Sequence, residues 1–179
     1  MKSLKTVQAI FKVLKVLATV AAVFCLVGAV ILIVSIAVIA LLEAGDSSEF
    51  IKKIVEWTGE DYRFNELLAT LCAAFTVCIS GGLLSLFTLR YFKRELADGT
   101  PFTERGAKEL LYLGIKHIVT PAVAVLIIAI ICACCGVDKT EIDYDFHGFS
   151  GVGMILLSFV FKYGAELENK LKERDADKV

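Results

Sequence analysis

Charge is missing from three long stretches of this 179-residue chain. No Asp, Glu, Lys or Arg occurs in residues 17–42, 67–89 or 118–137. Proline is scarce too, with only Pro101 and Pro121, so little in the sequence interrupts a long helix. The net charge of −1 removes any bulk attraction to nucleic acid, and no direct nucleic-acid partner is expected. There is no low-complexity segment. The phosphate-binding G-x-x-x-x-G-K-[ST], the zinc-protease H-E-x-x-H, the nucleophile G-x-S-x-G and the D-x-D-x-D-G calcium loop are all absent. No nucleophile stands beside an activating base. Neither an enzyme nor a cofactor is expected.

What is present is apolar. Hydrophobic residues make up 57% of the chain and mean hydropathy is +0.72. Soluble domains sit near about 45–50% apolar, so this excess needs a solvent other than water. The first run, Leu17 to Leu42, holds 26 residues. That is too long for the ~7–15-residue apolar core of a cleavable signal and long enough for the ~20 residues that cross a bilayer. In lipid the backbone must bond itself, so such a run is helical whatever its content of Val and Ile. The pattern predicts an all-α membrane protein, a bundle of four transmembrane helices at about 17–42, 67–89, 118–137 and 146–164. Residues 1–164 form one membrane domain. Residues 165–179 form a helical tail, supported by Glu166→Lys170 and Glu168→Lys172 spacing.

The connections sort by charge. The N-terminus, the connection near residues 90–108, Lys116, Lys162 and the tail together carry fifteen of the nineteen Lys and Arg residues. The other side carries four: Lys52, Lys53, Arg63 and Lys139. By the positive-inside rule, both termini and the central connection are expected in the cytoplasm of a multi-pass cell-membrane protein. The acidic connections, residues 43–66 and 138–147, are expected outside. Within the first of these, Asp46 and Glu49 suggest a reciprocal helix cap. Phe50, Ile51, Ile54 and Val55 then suggest a short surface helix.

The central connection is the most distinctive stretch. Asp98-Gly99 reads as a helix end, with Gly99 in the left-handed conformation. Pro101 delays the next helix, Thr103 caps it, and Phe102 staples onto Ala107. Tyr91, Phe92, Arg94, Gly99, Pro101, Phe102 and Thr103 are the candidate partner-docking residues. The alternative is that Pro101, Phe102 and Thr103 merely join two helices. Pro121 is expected to kink the third span and free a carbonyl.

Other features carry structural and chemical readings together. Ala74, Cys78 and Gly82 recur every four residues, as do Gly81 and Ser85, a spacing that lets helix backbones approach. Such a face serves packing within the chain or formation of a homo-oligomer. All six cysteines (Cys25, Cys72, Cys78, Cys132, Cys134, Cys135) fall in spans, where thiols behave as small apolar groups. A disulfide from Cys72 to the 132–135 cluster and a metal site stand as alternatives. Glu141, Asp143, Asp145 and His147 have ligand chemistry for a cation but suit a solvated loop equally. Lys116 and His117 lie at the shallow edge of the third span and read as interfacial anchors.

Tyr91-Phe92 through Gly99-x-Pro101-Phe102-Thr103 resembles a connection of the form YF…G.PFT. It is found in a family of small bacterial four-span membrane proteins of unknown function. Leu113-Gly114, and the Phe161-Lys162-Tyr163-Gly164-Ala165-Glu166-Leu167 segment, are similar to that family's other patterns. This tail is about ten residues longer than is usual there. Such proteins are often encoded beside a small helix-turn-helix regulator, so the resemblance implies a cytoplasmic regulator as partner, alongside the lipid bilayer. It implies no activity. A non-enzymatic interaction or regulatory partner is the leading expectation. A toxin-immunity protein and a small permease or channel subunit are the alternatives.

Overall fold

The computed structural model describes residues 2–44, 53, 64–99, 103–137 and 149–176. Four helices account for almost all of them: α1 (Lys2–Ala44), α2 (Phe64–Asp98), α3 (Glu104–Cys135) and α4 (Phe149–Ala176). Each is long and apolar enough to cross a membrane, and no strand occurs among the described residues. The fold is thus an all-α, multi-pass membrane architecture. The expected surface helix near 50–57, apart from Lys53, lies outside the described residues. So do the Asp46–Glu49 cap, the acidic 138–147 loop and the first residues of the 146–164 span.

The helices outrun the charge-free stretches. α2 continues past Leu89 to Asp98, α3 starts at Glu104, well before Ile118, and α4 runs through the tail to Ala176. Pro121 sits inside α3 without ending it. Its missing N–H leaves the His117 carbonyl without an i+4 donor. Two ends close on glycine. Gly99 has φ 77° and its N–H donates to the Glu95 carbonyl at 3.1 Å, a single left-handed cap. Gly136 has φ 67°; Val137 N–H donates to the Cys132 carbonyl at 3.0 Å and Gly136 N–H to Ala133 at 3.4 Å. That double bond pattern is a Schellman closure.

The chain divides into two compact units. The first comprises Met1–Ala22, Leu83–Ala122 and His147–Val179; the second comprises Val23–Gly82 and Val123–Phe146. In the first, Tyr91, Leu110 and Leu113 form the core, with Phe87, Phe92, Met154 and Phe161 packed around them. α3 and α4 meet at two glycines. A methyl group on Gly114 would stand 2.8 Å from the Gly151 carbonyl oxygen, and one on Gly151 would stand 2.7 Å from that of Gly114. The two backbones touch.

In the second unit the core is Ala73, Ile128 and Cys132. α1 and α2 face each other through glycine and cysteine. A methyl group on Gly81 would lie 3.3 Å from Cys25 Sγ, and one on Gly28 would lie 3.2 Å from Cys78 Sγ. Large side chains such as Phe24, Leu26 and Leu41 are exposed. Hydrocarbon is the solvent that suits them.

Candidate functional site

The α2–α3 elbow is built from short-range bonds. At its far side Thr103 caps α3: the Gly106 N–H donates to Thr103 Oγ1 at 2.9 Å. On its near side Gly99 ends α2, and Gln8 Nε2 of α1 donates to the Gly99 carbonyl at 2.8 Å. Across the elbow, Arg94 Nη1 donates to Glu109 Oε1 at 2.9 Å, and Arg105 Nε donates to the same oxygen at 3.2 Å. Three helices are therefore joined at one turn. Lys93, Ala97, Asp98, Arg105 and Lys108 face outward.

The docking candidates do not share one surface. Arg94 is exposed, though held by Glu109. Phe92 is half-buried, its ring centre 5.3 Å from that of Phe11. Tyr91 is 5% exposed and belongs to the core cluster, so its reading as a docking residue is corrected here. The helical phase that puts Phe92 toward α1 turns Tyr91 inward. Pro101 and Phe102 lie outside the described residues. Of the small residues, Cys78, Gly81 and Gly82 face α1 within the chain, at Gly28 and Cys25. Ala74 is half-buried, and Ser85 lines a cavity of the first unit.

A buried carboxylate underlies the elbow. Glu95 is 3% exposed, and its Oε2 has no hydrogen-bond partner among the described residues; the same holds for the buried Tyr91 hydroxyl. Gly106 has no side chain because Glu95 and Thr103 occupy that space. Burial first, then the charges of Asp98 and Glu109, push the Glu95 carboxyl up to about 7 from 4.5, while Arg105 pulls the other way. Burial, with Glu95 and Glu109, likewise raises the Tyr91 phenol, so it remains protonated. The i,i+4 spacing of Arg105 and Glu109 is a signal in the sequence for one part of this set, though the pair was not singled out above. Glu95 gave no signal, because a charged residue in a polar connection is ordinarily solvated, and Gln8 and Gly106 gave none because their roles depend on contacts with other helices.

His117 links α2 and α3. Its Nδ1 lies 2.9 Å from the Leu113 carbonyl. A carbonyl only accepts, so Nδ1 carries the proton and Nε2 faces Thr88 Oγ1 at 3.5 Å. Lys116 lies over the Phe87 ring, 4.1 Å from its centre. All six cysteines are free thiols. Among the described residues no cluster of three His, Cys, Asp or Glu side chains is suited to a metal ion. Compared with protein families, curated proteins and solved structures, the chain matches none.

Proposed function

We propose that the protein is a non-enzymatic interaction protein of the cell membrane, with the α2–α3 elbow as the dock for a cytoplasmic regulator protein. The observation that carries this is the elbow's construction. Its two capped helix ends are tied to α1 by Gln8 and to each other by Glu109, while Lys93, Arg105 and Lys108 stay exposed. A preformed surface costs little ordering on binding, and its exposed Lys93 and Lys108, set beside the exposed acids Asp98 and Glu104, offer pairing to carboxylates of a partner. The positive-inside bias supports a cytoplasmic location for both termini and this surface. The resemblance of the connection to four-span proteins encoded beside small regulators points the same way.

The test is site-specific photo-crosslinking in native membranes from Lys93, Ala97 and Lys108. All three sites should capture the same protein, and Lys93→Glu with Lys108→Glu should abolish capture. Absence of a common partner at the three sites rejects the proposal.

A further inference from the structure

Two cavities in the first unit share a wall. One, of about 500 Å³, is an open cleft lined from all four helices, with Phe11, Leu14, Leu84, Leu110, Leu157 and Phe161 in its lining. The other, of about 430 Å³, lies between α2 and α3 and is lined by Arg90, Arg94 and Lys116, with Glu109 as its one acidic lining residue. Tyr91 and Leu113, packed together in the core, line both and so divide them. Each volume falls in the ~300–1,000 Å³ range of small-molecule sites.

Position and charge identify the occupant. Arg90 directly follows the charge-free run 67–89, and Lys116 almost directly precedes the run 118–137. The contact of Lys116 with Phe87 brings these two ends together. The cationic cavity therefore lies where hydrocarbon gives way to head groups. Arg94 is paired with Glu109. Arg90 and Lys116 have no carboxylate partner among the described residues. Two unneutralised cations thus stand at the edge of an exposed apolar face that carries Leu83 and Val119. An arginine fork and a lysine point charge together suit a phosphate. The choline or ethanolamine of a zwitterionic lipid would place a third cation there.

We propose that the first unit holds one anionic phospholipid, its phosphate between Arg90 and Lys116 and its acyl chains along the exposed apolar side chains Leu83 and Val119 of α2 and α3. This site adjoins the elbow dock through Arg94 and Glu109 but does not use its outward-facing Lys93 and Lys108, so lipid retention and partner capture are read independently.

Native mass spectrometry of the delipidated full-length protein tests it, using phosphatidylglycerol and phosphatidylcholine with identical acyl chains. Phosphatidylglycerol should be retained about tenfold or more over phosphatidylcholine, as expected for two interfacial cations. Arg90→Gln with Lys116→Gln should erase that preference, while the charge-keeping Arg90→Lys with Lys116→Arg should keep most of it. Excess glycerol 3-phosphate, a head group without chains, should not displace the lipid. Equal retention of the two lipids overturns the proposal. So does a preference that survives the glutamine pair, or displacement by glycerol 3-phosphate.

Discussion

In the first unit two helices meet backbone to backbone, and in the second they meet through sulfur. Gly114 and Gly151 bring carbonyl oxygens to where side chains would stand, whereas Gly28 and Gly81 face the thiols of Cys78 and Cys25. The polar groups divide in the same way. The first unit holds Glu95 and Tyr91, each with a buried oxygen that has no hydrogen-bond partner among the described residues, and the Glu109 ion pairs. The second unit's core cluster is alanine, isoleucine and cysteine. A glycine's tolerance to change is thus set by what it faces, since a thiol can rotate and a carbonyl fixed in a helix cannot. The first unit should be the less forgiving of the two.

The largest break in that contrast should come at the α3–α4 contact. Gly114→Ala or Gly151→Ala must push the helices apart or distort one of them, because both obstacles are backbone oxygens below 3 Å. Overpacking costs about 1–3 kcal/mol and occasionally more, and rigid obstacles belong at the upper end, about 3 kcal/mol. Reversible unfolding in mixed micelles, followed by circular dichroism, measures it. A loss under about 1 kcal/mol for both variants would show that the close contact is not fixed.

The next effect concerns Glu95 and depends on pH. Its carboxyl is raised to about 7 in the folded protein from 4.5. Between those values the folded protein keeps a proton that the unfolded chain has released. Stability from this group is therefore full below about 4.5 and is lost as pH rises through about 7. The shift corresponds to roughly 3 kcal/mol. The amide end of α3 beside the carboxylate favours its charged form, and a buried amide itself needs partners. Glu95→Gln should accordingly gain about 2 kcal/mol at pH 8 and little at pH 4.5. Unfolding measured across pH 4.5–8 should be flatter in the variant than in the parent. A parallel pH dependence in both would locate the titration elsewhere.

Much of the fold was legible because the bilayer simplifies the problem. Charge-free runs such as Leu17–Leu42 have one way to satisfy their backbone, and the turn chemistry of Gly99 and Thr103 is local. The lengths of the helices were less legible. α2 and α3 extend into charged sequence where Arg94 meets Glu109 across the elbow, a tertiary event, while Arg105 meets the same carboxylate within α3. Tyr91 was read as a docking residue, and Glu95 was not singled out. Both are buried, one turn apart on α2. The Gly114–Gly151 contact joins residues on different helices, and spacing along one helix does not reveal it. The recurrence of small residues on α2 did point to Cys78, Gly81 and Gly82, but its partners on α1 are Cys25 and Gly28.

The smallest effect gives the sharpest comparison. A methyl group at Gly28 would stand 3.2 Å from Cys78 Sγ, so the thiol must yield by a few tenths of an ångström. Alanine for glycine in a helix is otherwise favourable by roughly 0.5–1 kcal/mol. Gly28→Ala should therefore fall near neutral in the parent and become stabilising when Cys78→Ala removes the sulfur. The coupling expected in the double-mutant cycle is about 0.5–1 kcal/mol. The matching cycle in the first unit pairs Gly114→Ala with Ile155→Ala, since Ile155 Cγ1 is also 2.8 Å from the added methyl. There the second change should recover little, because the Gly151 carbonyl remains in place. Rescue in both cycles would mean that side chains set both contacts, and the distinction between the units would then be one of degree.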